Sequence, residues 1–122
     1  MWGLAFKPDT DDIREAPALY IIEKLKAAGA TIKAYDPEAM SNVQSQIGES
    51  IEYAINPYEA LDNADALIIC TEWSVFRTPD FDELDERLKN KAIFDGRNLY
   101  SPSKMTNLGY YYKSIGRQTV NP

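Results

Sequence analysis

Two apolar patterns alternate along the chain. Six short stretches are continuously apolar or alternate like strands: the opening run to Phe6, then 30–35, 51–55, 66–71, 92–98 and 110–115. Between them, apolar residues recur at helical spacing. Leu19, Ile22 and Leu25 predict a helix over 16–28, with Pro17 in its first turn and Gly29 as its stop. Phe81, Leu84 and Leu88 form a second stripe, closed by the cations of Lys89 and Lys91. Residues 101–108 read as a short capped helix ending at Gly109, residues 41–50 as a short helix and loop, and residues 58–63 as one or two helical turns. The tail after Gly116-Arg117 is expected to fray.

Strands alternating with helices predict an α/β domain. The expected architecture is a Rossmann-like, doubly wound, mostly parallel six-stranded sheet with helices on both faces, three layers in all. Ala66-Leu-Ile-Ile-Cys-Thr71 is the most apolar run and fits a central strand buried on both faces. Cys70 within it reads as an inert core residue.

In such sheets ligands sit at the carboxyl ends of strands. There the sequence turns polar: Lys7-Pro8 and three carboxylates follow Phe6, Asp36-Pro37 follows the second strand, and Asp95-Gly96-Arg97 ends the fifth. Lys7 and Arg14 flank the start of the first helix, whose free N–H groups suit an anion. Arg97 leaves the same end of the sheet; it either joins that cluster or pairs with Asp95 or another carboxylate. Asp36 suits a helix cap better than a ribose contact, because capping needs only local chemistry and no Gly-x-Gly-x-x-Gly precedes it. Trp73 and Phe76 either line a pocket or cover the sheet edge.

The whole chain narrows the chemistry. Its 122 residues make one domain, 44% hydrophobic and 26% charged, with no apolar run long enough to span a bilayer and no signal peptide, so a cytoplasmic protein is expected. A net charge of −6 argues against a nucleic-acid face. With no histidine and one cysteine, the usual general base, the usual metal ligands and an internal disulfide are all missing. An anionic ligand must then be held by a local cluster, and Lys7, Arg14 and Arg97 could hold a nucleotide diphosphate.

The stretch Gly-Leu-Ala-Phe-Lys-Pro-Asp-Thr-Asp-Asp-Ile-Arg-Glu-Ala-Pro, residues 3–17, resembles the opening of the C-terminal, nucleotide-sugar-binding domain of the UDP-glucose/GDP-mannose dehydrogenase family. Ala-Tyr-Asp36-Pro37, the run from Asp62 to Trp73, Phe76-Arg77, Ile-Phe-Asp95-Gly96-Arg97-Asn98 and the segment from Gly109 to Arg117 extend the likeness over nearly the whole chain. Thr71-Glu72-Trp73 with Phe76-Arg77 looks most like the UDP-glucose 6-dehydrogenase branch.

The resemblance implies an NAD-dependent oxidoreductase that converts the C6 alcohol of a UDP-hexose to a carboxylate through a cysteine-bound intermediate. The catalytic residues and the glycine-rich NAD fingerprint would belong to N-terminal and central domains, and Cys70 does not match the catalytic cysteine. The resemblance makes Phe6 and Lys7 contacts of the UDP-sugar, gives Arg97 a reach to the UDP-sugar of a paired subunit, and places Arg14 near NAD in the cleft between domains. It implies a homo-oligomer. Family members carry more apolar residues before Trp2-Gly3, so a truncated first strand and a fragment inactive on its own are expected. The alternatives are a GDP-mannose or UDP-N-acetylhexosamine dehydrogenase, a free-standing nucleotide-binding module, or a purely structural role in subunit assembly.

Overall fold

The computed structural model describes residues 1–122. Helix α1 spans Pro17–Ala27, β1 Lys33–Ala34, α2 Met40–Ile47, β2 Glu52–Tyr53, β3 Leu67–Ile69, α3 Phe81–Arg87, β4 Ala92–Asp95, α4 Pro102–Leu108 and β5 Tyr111–Lys113, with single 3₁₀ turns after α2, after β2 and before α3. All strand pairs are parallel. β1 pairs with β2, and β3-β4-β5 form a three-stranded sheet in which Ile68 faces Phe94 and Phe94 faces Lys113.

The expected six-stranded sheet is therefore corrected to two parallel sheets, of two and three strands. The opening segment makes only an isolated bridge, at Trp2, to Tyr35 on one side and Ile69 on the other. Trp2 N–H donates to the Ile68 carbonyl at 2.8 Å, and Gly3 N–H to the Tyr35 carbonyl at 2.9 Å. Pairing stops there because Gly3 turns at φ 94°, and the next two N–H groups, of Leu4 and Ala5, go to the Asp36 carboxylate instead of a strand. A Cβ on Gly3 would lie 2.5 Å from that of Thr71, so the turn requires glycine twice over.

The chain moves outward in one direction through α1 and α2 and in the other through α3 and α4. Right-handed crossovers then place the two helix pairs on opposite faces. α1 and α2 line a shared groove through Leu19, Ile22 and Ile47, while the Lys104 ammonium of α4 sits 5.0 Å from the Phe81 ring of α3. One continuous core of 26 buried residues runs between the layers. At its centre the fully buried Trp2 stacks on Phe76 at 4.9 Å and donates its indole N–H to the Pro57 carbonyl at 2.8 Å.

Two further expectations change. Lys89 and Lys91 lie beyond α3, whose last-turn cation is Arg87; Lys91 pairs with Asp85 of α3 at 3.3 Å and donates to the Leu108 carbonyl at the end of α4. The tail does not fray: Tyr112 and Val120 exchange backbone hydrogen bonds at 3.0 and 2.9 Å, and Arg117 donates to Ser114 and to the Tyr112 hydroxyl. This fold-back covers the outer edge of β5, an edge otherwise open to pairing.

Candidate functional site

Three strand ends meet at the Phe6-Lys7 loop. From the end of β1, Asp36 Oδ2 accepts the N–H groups of Leu4 and Ala5 at 2.7 and 3.0 Å. From the end of β3, Thr71 Oγ1 donates to the Ala5 carbonyl at 2.6 Å. From the end of β4, Arg97 donates through Nη2 to the Phe6 carbonyl at 3.1 Å and through Nε to the Cys70 carbonyl at 2.9 Å. Each bond joins residues far apart in the chain, so the loop is a product of the fold and not of local propensity.

Arg97 is thus held in place by its own chain, with two of its N–H donors bound to backbone carbonyls. The Nη1 group faces the Glu72 carboxylate at 3.7 Å, and the guanidinium keeps outward donors for a ligand. Of the two readings of Arg97, a carboxylate does lie beside it, but it is Glu72 and not Asp95, and the directional bonds go to the Phe6 and Cys70 carbonyls. Asp95 shapes the turn below. Its carboxylate accepts from the N–H groups of Arg97, Leu99 and Tyr100 and from the Tyr112 hydroxyl at 2.6 Å. Burial, and then the bond to Asp95, pushes the Tyr112 hydroxyl pKa well up, which keeps it a donor.

Lys7 is exposed, with its ammonium 5.5 Å from the Phe6 ring centroid. Arg14 is 88% exposed at the side chain and forks onto Asp12, Nε to Oδ1 at 3.0 Å and Nη2 to Oδ2 at 2.8 Å. That hydrogen bonding, with smaller help from the charges of Arg14 and Lys7, lowers the Asp12 pKa to about 2. Phe6, Lys7 and Arg97 therefore sit together directly, and Arg14 joins them only through Asp12. The start of α1 has no side-chain cap, and Pro17 has no N–H to offer an anion.

Asp36 is fully buried and takes five donors: Leu4, Ala5 and Trp73 Nε1 on Oδ2, and Glu38 and Ala39 on Oδ1. It anchors the turn before α2 and has no acceptor capacity left for a ribose. Trp73 and Phe76 are core and cover the sheet; neither opens a pocket. Cys70 is buried, and burial pushes its thiol to about 11 against the weaker pull of the N-terminal ammonium and Arg97, as expected of an unreactive thiol. The contacts of Tyr112 with Asp95 and Arg117, and of Glu72 with Arg97, carry no local signal in the sequence, because most of these partners are distant in the chain. Glu72 carries a buried oxygen, Oε1, with no hydrogen-bond partner.

A groove of about 370 Å³ opens beside Arg97, lined also by Gly96, Ser114 and Phe94. A larger cavity of about 640 Å³ lies between β1 and β3 at the opposite end of the strands, away from Phe6, Lys7 and Arg97.

Residues 1–102 match the UDP-glucose/GDP-mannose dehydrogenase family, UDP binding domain. The chain belongs to this family. It is 44% identical over 122 residues to a UDP-glucose 6-dehydrogenase of Pseudomonas aeruginosa, covering 96% of this chain and 27% of that enzyme. It is 45% identical over 118 residues to one of Bacillus subtilis, covering 97% of this chain and 26% of the relative. Among solved structures, an NDP-N-acetyl-D-galactosaminuronic acid dehydrogenase of Methanosarcina mazei Go1 superposes with a TM-score of 0.81 at 30% identity, over 97% of this chain and 24% of that one. A UDP-glucose dehydrogenase of Pyrobaculum islandicum gives 0.69 at 34% identity, over 79% of this chain and 21% of that one. The chain thus spans about a quarter of the length of these relatives. The neighbours agree with an α/β, Rossmann-like fold, and no helix is long and apolar enough to cross a membrane.

Proposed function

We propose that this chain is the UDP-sugar-binding domain of an NAD-dependent UDP-glucose 6-dehydrogenase, and that Phe6, Lys7 and Arg97 hold the nucleotide sugar. The observation that carries the reading is the Arg97 bond to the Phe6 carbonyl, which joins the two family motifs at one strand end. Lys7 supplies an unpaired ammonium and Arg97 its outward donors, the chemistry that diphosphate oxygens need. The diphosphate is thus held by a local cluster in a chain of net charge −6. In the assembled enzyme the Arg97 donors are placed to reach a nucleotide sugar at a subunit interface, which makes a homo-oligomer part of the reading.

The residues present form no cradle for NAD. Lys7-Pro8 replaces a glycine-rich turn, and Asp36 is saturated by protein donors. Arg14 is the one residue that the family motif assigns to NAD, so in this reading NAD and the oxidation of the C6 alcohol depend mainly on the rest of the enzyme, and this domain alone is inactive. Cytoplasmic localisation belongs to the same reading. A UDP-N-acetylhexosamine is the second substrate reading, favoured by the name and TM-score of the Methanosarcina structure.

Thermal melting of the full-length enzyme tests both, because only a ligand that binds the native state raises Tm. UDP-glucose is expected to raise it more than a UDP-N-acetylhexosamine or GDP-mannose. Arg97→Ala and Lys7→Ala are each expected to weaken UDP binding by about ten- to a hundredfold, the worth of one charge-assisted contact. A protein whose Tm responds to no nucleotide sugar would overturn the reading, and a larger response to the N-acetylhexosamine would change the substrate.

A further inference from the structure

Asn98 ties the turn that carries Arg97 to the segment after β5. It follows Arg97 directly and sits in the left-handed region at φ 57°, which asparagine adopts more readily than most residues. Its amide faces the backbone of Ile115. Nδ2 donates to the Ile115 carbonyl at 3.0 Å, and Oδ1 accepts the Ile115 N–H at 2.9 Å. One side chain thus engages both backbone groups of one residue, as a paired strand would. An aspartate at this place would lack the donor.

The two ends of the clamp are unequal. Ile115 belongs to a segment that is already fixed: Gly116 turns the chain at φ 68°, Arg117 donates to the Ser114 and Tyr112 hydroxyls, each at 2.9 Å, and Val120 pairs with Tyr112. On the other side, Asp95 accepts the N–H groups of Arg97, Leu99 and Tyr100 but not that of Asn98, so residue 98 is held through its side chain. The turn is therefore gripped before Arg97 by Asp95 and after it by Asn98. From this turn the Arg97 side chain must reach the Cys70 carbonyl with Nε and the Phe6 carbonyl with Nη2. A shift of about 1 Å is enough to spoil the geometry of a binding group.

We propose that Asn98 is a positioning residue for nucleotide-sugar binding, acting through Arg97: its clamp on Ile115 fixes the backbone just after Arg97 and aims the guanidinium. The inference rests on the reading of Arg97 as a nucleotide-sugar contact. Asn98 is exposed, so its two bonds compete with water and add little to the stability of the domain. Aiming and folding are for that reason separable at this position.

The test is a double-mutant cycle in the full-length enzyme, read by titration with UDP, by the KM for UDP-glucose and by thermal melting. Asn98→Gly removes the amide while glycine keeps the left-handed φ without strain. It is expected to weaken UDP binding about five- to tenfold, to raise KM with kcat nearly unchanged, and to leave Tm nearly unchanged. In the Arg97→Ala background the same change is expected to alter UDP affinity less than about twofold, because the group being aimed is gone. Wild-type UDP affinity in Asn98→Gly overturns the proposal. So does an equal loss in the Arg97→Ala background, or a collapse of Tm, since either makes Asn98 a residue of the fold and not of the site. Unchanged UDP affinity in Arg97→Ala alone overturns the nucleotide reading of Arg97 and the clamp with it, so the two failures are distinguishable.

Discussion

Asp36 and Asp95 occupy equivalent places, at the carboxyl ends of β1 and β4, yet they do different work. Asp95 serves mainly its own turn, taking N–H groups two, four and five residues ahead and one hydroxyl from β5. Asp36 takes two N–H groups from its own turn and three donors from elsewhere: Leu4, Ala5 and the Trp73 indole. One shapes the loop that carries Arg97. The other ties three segments into one strand end, and the Phe6-Lys7 loop hangs from it. A buried carboxylate at a strand end is therefore no sign of ligand contact until its donors are counted.

The largest expected effect follows from that count. An amide at position 36 can accept on one side only and sets its NH₂ against N–H donors on the other, leaving buried donors unpaired. Asp36→Asn is expected to cost of order 4 kcal/mol, a large part of an ordinary domain's stability. Urea denaturation would read this as a lower midpoint at unchanged slope. At position 95 the amide can turn its NH₂ toward the side with a single donor, Arg97 N–H, so Asp95→Asn is expected to cost about half as much. If the two cost the same, the contrast between a hub and a local turn is wrong.

The next effect separates shaping the Arg97 turn from holding the fold. The Tyr112 hydroxyl donates to Asp95 and accepts from Arg117 Nη2 at 2.9 Å. Tyr112→Phe keeps the buried ring and removes those bonds, at about 1–2 kcal/mol. UDP affinity in the full-length enzyme is expected to fall as well, because Arg97 leaves the turn that Asp95 holds. Lost stability with unchanged affinity would show that the Arg97 bonds to Phe6 and Cys70 suffice alone.

The sequence made these regions legible to different depths. Asp36-Pro37 and Asp95-Gly96 were readable as turns, since capping and glycine turns depend on near neighbours. The helices over 17–27 and 102–108 lie within a residue of the expected bounds at each end, because their stripes, prolines and glycine stops are local too. The foreign donors to Asp36 were invisible, being 31 to 37 residues away. So was the Val120 bridge that orders the tail, and the early end of sheet pairing at Gly3, which is set by contact with Thr71. Of the candidate residues, motif and geometry agree in bringing Phe6, Lys7 and Arg97 together. Arg14 is where they part, since its guanidinium lies on Asp12 at the surface.

Arg14 and Asp12 supply the smallest expected effect and the sharpest contrast with the buried carboxylates. Arg14 is exposed enough that water screens its attraction to Asp12, so Arg14→Ala should leave the urea midpoint nearly unchanged. The change belongs in the titration of Asp12, whose pKa is about 2 against an ordinary 3.8 because it accepts hydrogen bonds from Arg14. A folded-state pKa below the unfolded one adds stability that is complete above about pH 4 and is lost as the pH falls through about 2. Removing Arg14 is expected to return the Asp12 pKa toward 3.8 in an NMR titration and to abolish that acid-side dependence. If the Asp12 pKa stays near 2 in the variant, Lys7 or the backbone N–H of residue 14 holds the carboxylate. Arg14 would then be free to swing toward a cofactor without an electrostatic cost at Asp12.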